Sequence, residues 1–180
     1  GNYGEHREYP YGSLLAHLIG YVGAVPSSSK EELEAELAAL NEGRTERDGL
    51  YTSDSIVGRL GLEKQYEQEL RGKDGEMIYI CTAEGTNRLT LYRIDPQDGY
   101  DLELTIDVEL QQRLDEVMDL VLFGDTTAGA VVVMNPLTGA VLAMSSYPSY
   151  DLNLFTRGIS QKDYNELLND PAKPLINRVT

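Results

Sequence analysis

Positive charge is scarce in this sequence: 15 lysines and arginines stand against 30 aspartates and glutamates, a formal charge of -15 over 180 residues. A phosphate backbone or an anionic lipid surface would be repelled by most of such a surface, so nucleic acid is not an expected partner. The lone Cys81 cannot form an internal disulfide and has no metal-ligand spacing around it, which leaves the redox compartment open. His6 and His17, the two histidines, lack a neighbouring ligand pattern, and neither a metal nor a cofactor is implied. Long hydrophobic runs are also missing. The longest mostly apolar stretch, residues 14–25, is interrupted by His17 and glycines and falls short of the roughly 20 residues that a membrane span needs. No signal peptide opens the chain.

With 41% hydrophobic and 25% charged residues, and its 17 glycines and 7 prolines dispersed, the composition is that of a globular protein of one domain or two small ones. The segment "EHREYPYGSLLAHLIGYVG" begins in turn chemistry at Pro10 and Gly12 and becomes apolar from Leu14 to Val22, with Ser13 placed to cap a short helix. Next, "VPSSSKEEL" contains Ser27 and Lys30 in S-x-x-K spacing, by which penicillin-reactive enzymes set a lysine beside a nucleophilic serine. Two physical arguments oppose that reading. Ser28 with Glu31, and Ser29 with Glu32, fit the capping box of a helix whose apolar positions are Leu33, Leu37 and Leu40. Glu31, Glu32 and Glu34 also hold Lys30 protonated, and a charged amine is no base.

Beyond the polar loop 41–48, Thr52 or Ser53 can cap a turn, and Leu62, Tyr66 and Leu70 mark one face of a helix ending before Gly72. Gly58 and Gly61 beside a helix start could cradle a phosphate, but the Walker lysine and the Rossmann pattern are both lacking. "MIYICT" and "RLTLYRI" predict a hairpin turning at residues 83–87. "DLELTID" predicts a strand with Leu102, Leu104 and Ile106 on one face. Asp107 then caps a helix with apolar positions Leu110, Leu114, Val117 and Val121, and Gly124 is placed to end it. "GAVVVMNPLTGAVLAMSS" predicts two strands around an Asn135–Gly139 turn. Both faces of the first are apolar, as in the middle of a layered α/β domain. A short helix near residues 161–168 follows, too little to cover two faces and an edge, so self-association through this hairpin is expected.

"REYPYGSLLAHLIGYVG", "VGRLGLEKQYEQELRGKDGE", "DLELTIDVELQ", "GAVVVMNPLTGAVLAMSSYPSYDLN" and "PLINR" occur in the order and spacing of class B penicillin-binding proteins, so the sequence resembles those monofunctional peptidoglycan transpeptidases over nearly its whole length. The resemblance implies an α+β fold: an elongated pedestal of short helices and antiparallel hairpins over residues 1–100, a linking strand and helix over 101–127, and the first β-hairpin of an incomplete α/β transpeptidase domain over 128–180. It further implies that Arg7, Tyr9, Pro10, Gly12, Gly58, Gly61, Glu63, Gly72, Gly75, Asn177 and Arg178 are structural signature residues. Glu63 would serve in an ion pair or at a helix N-terminus, its arginine not identified by sequence.

In the family, the nucleophilic serine lies in a P-G-S-x-x-K segment shortly after the residues matching Asn177 and Arg178, and this chain ends at Thr180. Ser53-Asp54-Ser55 has Ser where the S-x-N motif has Asn, and Leu137-Thr138-Gly139 has Leu where K-T-G has Lys. Neither an R-G-x-I-x-D-R-x-G segment nor a membrane helix precedes Gly1. The expectation is therefore a non-catalytic scaffold piece of a membrane-anchored transpeptidase on the outer face of a bacterial membrane. Divisome or elongasome proteins, or a second copy in a homodimer, would be its partners. The competing readings are a free-standing binding module and a β-lactam-reactive enzyme using Ser27 and Lys30.

Overall fold

A computed structural model describes residues 7–45, 49–81, 88–122, 128–156 and 158–180. The expected turn at 83–87, Gly124, His6 and residues 46–48 of the polar loop lie outside the described residues. Helices mix with three small antiparallel two-stranded sheets, and no closed barrel forms among the described residues. The chain divides into two compact units, one of Gly1–Ala24, Ile56–Tyr66 and Glu103–Thr180, the other of Val25–Ser55 and Glu67–Leu102.

The first unit contains helix α1 (Ala16–Ile19) and strand β1 (Val22–Ala24), which pairs with β2 (Ile56–Gly58) in the register Val22↔Gly58. Helix α3 (Gly61–Gln65) follows directly. Ser13 does not cap α1: the residue before the helix is Leu15, in the left-handed region at φ 60°, and no side chain caps it. Near the C-terminal end the unit adds helix α5 (Val108–Val121), strands β5 (Gly129–Met134) and β6 (Val141–Tyr147), a 3-10 turn (Leu152–Leu154) and helix α6 (Gln161–Asn169). Its core joins the two ends of the sequence, Tyr9 and Ala16 packing with Tyr150, Leu152 and Phe155.

Asp107 caps α5 as expected, its carboxylate accepting from Leu110 N. The preceding residues 101–107 form no strand; Asp107 N donates to Leu142 O and the Thr105 hydroxyl to Val141 O, two isolated bonds in place of a ladder. The stripe that α5 buries also differs from the expected one. Gln111 and Met118 are buried, whereas Val117 is 41% and Val121 67% exposed. Gln111 lies inside because its amide is satisfied, its oxygen accepting from Met144 N at 2.8 Å and its Nε2 donating to Asp115 at 3.1 Å. The β5–β6 turn forms as predicted, with Asn135 Oδ1 accepting from the N–H groups of Leu137 and Thr138.

The second unit holds helix α2 (Lys30–Leu40), helix α4 (Glu67–Leu70) and the hairpin of β3 (Glu76–Cys81) and β4 (Arg88–Ile94). The single helix expected through Leu62, Tyr66 and Leu70 is two: α3 ends at Tyr66, where ψ turns to 27°, and α4 begins at Glu67. No residue of α2 is fully buried.

Candidate functional site

Most of the N-terminal signature residues meet in the first unit. Arg7 enters a two-pronged ion pair with Glu63, Nε to Oε1 and Nη2 to Oε2, both at 2.7 Å. The Tyr9 hydroxyl donates to Glu63 Oε1 at 3.3 Å and accepts from Val22 N at 3.1 Å, so one phenol joins α3 to strand β1. Glu63 is buried while the Arg7 side chain is 41% exposed. Burial, and next the Glu63 carboxylate, push the Tyr9 phenol far above its ordinary pKa, so it stays a donor. The Glu63 hydrogen bond likewise raises the Arg7 pKa. With both Glu63 oxygens engaged, the cluster is built to hold chain segments together.

The glycines around it permit close backbone approach. Gly61 has φ 62°, and a Cβ there would stand 2.5 Å from Leu18 O; a Cβ on Gly58 would collide with Glu63 O. Pro10 and Gly12 form the turn leading to α1, closed by Gly12 N to Tyr9 O, and Gly12 O accepts from Leu152 N. Asn153 fastens the same segment by accepting from Tyr9 N and donating to Tyr9 O.

Asn177 and Arg178 occupy a separate loop of this unit. The Arg178 guanidinium donates to the carbonyls of Ala172, Lys173 and Ile176, and Asn177 Nδ2 donates to His17 O. His17, buried beside Tyr150, contacts Pro174 O through Nε2. Burial lowers its pKa.

Gly72 and Gly75 belong to the second unit, on either side of Lys73, which bridges to Gln97. The sequence reading missed the centre of this unit. Tyr51 is buried with the Arg71 guanidinium 3.7 Å from its ring centroid and Arg44 at 5.0 Å. Its hydroxyl donates to Glu67, and its backbone makes two bonds with the Asn41 amide. An Asn ten residues from a Tyr carries no local signal for such a pairing.

Ser27 and Lys30 form no nucleophile–base pair. The Ser29 hydroxyl accepts from Glu32 N, and the Glu32 carboxylate accepts the N–H and hydroxyl of Ser28, which lowers its pKa. The capping pair is thus Ser29–Glu32, with Ser28 bonded to the acid. Lys30 points to Glu34 at 3.6 Å with its side chain 82% exposed. Among the described residues no His, Cys, Asp and Glu group could hold a metal ion, and no helix is long and apolar enough to cross a membrane.

Short helices and small antiparallel hairpins, with a half-buried ion pair and close glycine contacts in the first unit, define a mixed α+β class of domain. Residues 2–104 match the penicillin-binding protein dimerisation domain, and the chain belongs to that family. It is 41% identical over 176 residues to the peptidoglycan D,D-transpeptidase MrdA of Escherichia coli K12, covering 98% of this chain and 25% of that protein. The chain spans about a quarter of the length of the curated relatives it matches. Among solved structures, PBP2 in complex with MreC from Helicobacter pylori superposes with a TM-score of 0.68 at 32% identity, over 96% of this chain and 28% of that one. A structure of a peptidoglycan synthase complex coordinating polymerisation and crosslinking gives 0.71 at 28% identity, over 96% and 29%.

Proposed function

We propose that the chain is a non-catalytic scaffold of a class B penicillin-binding protein acting in peptidoglycan synthesis. In this reading residues 1–100 form the pedestal, 101–127 the link, and 128–180 the start of a transpeptidase domain whose parent is a membrane-anchored D,D-transpeptidase. The observation that carries it is the sewing of the N-terminal signature onto the C-terminal third: Tyr9 to Asn153, Gly12 to Leu152 and His17 to Pro174 span 140 to 157 positions. Such bonds let a pedestal segment set the position of the domain it carries. The exposed face of β5, where Val132 is 45% and Met134 53% exposed, is a surface that the helices of a layered transpeptidase domain would cover.

The hairpin of β3 and β4 supplies the partner surface. The cross-strand pairs Ile80↔Leu89 and Ile78↔Tyr92 put four apolar side chains on one face, each 48–65% exposed. Exposed apolar area of this kind marks a protein interface. Its occupant is an MreC homologue, the partner present in the Helicobacter pylori complex. Isothermal titration of this chain with a purified MreC homologue tests it. Saturable binding should weaken at least tenfold in Ile80→Asp and Leu89→Asp while thermal stability holds. Absence of binding, or binding indifferent to both substitutions, would remove this surface from the proposal.

A further inference from the structure

We infer that the outer edge of β3 is a self-association site: two copies of this chain pair antiparallel through Met77–Cys81, centred on Tyr79. The contact uses the edge of the hairpin and does not depend on the partner proposed for its face.

β3 has the composition of an interior strand but stands at an edge. Its run Met77–Cys81 carries no charge, and both faces are apolar, Ile78 and Ile80 on one, Met77 and Tyr79 on the other. All six residues of β3 are exposed, and among the described residues β4 is the one strand paired with it. A two-stranded hairpin is at best marginal in water and gains stability from further strands or a covering layer.

The two edges of the hairpin differ. β4 is bulged: Ile78 pairs with Tyr92 and Tyr79 with Thr90, which leaves Leu91 as the extra residue. It also carries Arg93, whose side chain is 61% exposed and bonded to Asp95. Bulges and charged side chains are the devices that keep an edge from pairing. Within Met77–Cys81, β3 has neither an extra residue nor a charge.

A second copy fits this edge for three reasons. Opposite residues of an antiparallel pair share a face, so a two-fold axis must set one residue against its own copy. Centring on Tyr79 keeps all five uncharged residues paired, with Ile78 against Ile80 and Met77 against Cys81 of the second copy. Charge permits the approach, since residues 73–95 hold three cationic and four anionic residues, nearly balanced in a chain of formal charge -15. The assembly also stops at two copies, because the resulting four-stranded sheet exposes only the bulged β4 edges.

Five paired residues a side is well below the roughly 20 of a standard interface, so a weak dimer with a Kd of about 100 μM is expected. Sedimentation velocity over about a hundredfold range of concentration around that value should show monomer converting to dimer. Tyr79→Lys and Tyr79→Glu each oppose like charges across the axis and should weaken the dimer by about fivefold or more, while an equimolar mixture of the two restores it. Leu91→Lys, on the β4 edge, should leave it unchanged. Opposite Cα atoms stand about 5 Å apart, within reach of a disulfide, whereas the two Cys81 residues would lie about 14 Å apart. With oxygen as oxidant and a copper catalyst, Met77→Cys should therefore cross-link to Cys81 of the second copy, and wild type and Met77→Cys/Cys81→Ser should not. A monomer throughout the range, a dimer indifferent to both Tyr79 charges, or Met77→Cys cross-linking no better than wild type overturns the site.

Discussion

Arg7 and Glu63, 56 positions apart, face each other through two parallel hydrogen bonds of 2.7 Å, and only the arginine reaches solvent. The pair is therefore asymmetric. Removing Arg7 strands a buried carboxylate, whereas removing Glu63 leaves a guanidinium that can turn to water. Arg7→Met should cost about 2–3 kcal/mol, below the range for a fully buried pair because Arg7 is part-exposed. Arg7→Lys should recover only part of this, since an ammonium cannot make the bidentate contact. Urea denaturation of the three proteins checks the order, and a lysine variant equal to wild type would show that charge alone suffices.

Two buried tyrosines predict opposite outcomes for the same substitution. The Tyr9 hydroxyl makes two bonds, to Glu63 and from Val22 N. The Tyr150 hydroxyl is buried without a hydrogen-bond partner among the described residues, and burial pushes its pKa up to about 12. Tyr9→Phe should destabilise by about 1–3 kcal/mol, because it leaves a buried N–H and a carboxylate short of a partner. Tyr150→Phe should be neutral or stabilising by up to about 1 kcal/mol. Thermal melts of both variants decide it.

What the sequence made legible was local. Ser29 and Asp107 cap their helices through bonds spanning three residues, and Asn135 closes its turn over two or three. Family resemblance carried the fold class, which composition alone could not. Chain-distant contacts were not readable: Glu63 needed an arginine 56 positions earlier, and Tyr51 gathered Asn41, Glu67 and Arg71 from three places. Alternation in residues 101–107 suggested a strand because period-2 patterning cannot tell a laddered strand from an extended segment with isolated bonds.

Gln111 misled for a different reason. Its polarity shifted the expected buried stripe of α5 onto Val117 and Val121, although its amide is satisfied in the interior. Gln111→Leu preserves the volume and leaves Met144 N without its acceptor. A cost of about 1–3 kcal/mol is expected, and Gln111→Glu, which keeps an acceptor, should retain the Met144 amide's protection in hydrogen exchange. Equal protection in Leu and wild type would show that Met144 N finds another acceptor.

Ser27 and Lys30 have the spacing of a nucleophile and its base without the surroundings. With Lys30 82% exposed beside Glu34, and with Ser28 and Ser29 engaged at the helix start, nothing desolvates the amine. Intact-mass spectrometry after incubation with excess benzylpenicillin should show no adduct. A stoichiometric acyl adduct mapped to Ser27 would make this chain an enzyme.

The stability of the first unit should carry two opposed acid responses. Burial, and next to it the charge of Arg178, lowers the His17 pKa against the Pro174 bond, so the fold holds a neutral ring while the unfolded chain protonates near 6.5. Over the interval below 6.5 the unfolded state binds more protons, so stability falls as pH drops from 6.5 to the depressed folded value and then levels. Asp115 runs the other way. Burial raises its pKa above 3.8, opposed by hydrogen bonds from Ser145 and Gln111. The fold thus binds the proton more readily than the unfolded chain, and stability falls as pH rises from 3.8 through the raised value. Urea midpoints at pH 7, 6, 5 and 4 should lose their decline below 6.5 in His17→Gln. Asp115→Asn should gain most over wild type at pH 7, the gap closing toward pH 4. A His17→Gln profile parallel to wild type from pH 7 to 5 would mean that the ring is protonated in the fold, with Nε2–H still donating to Pro174 O.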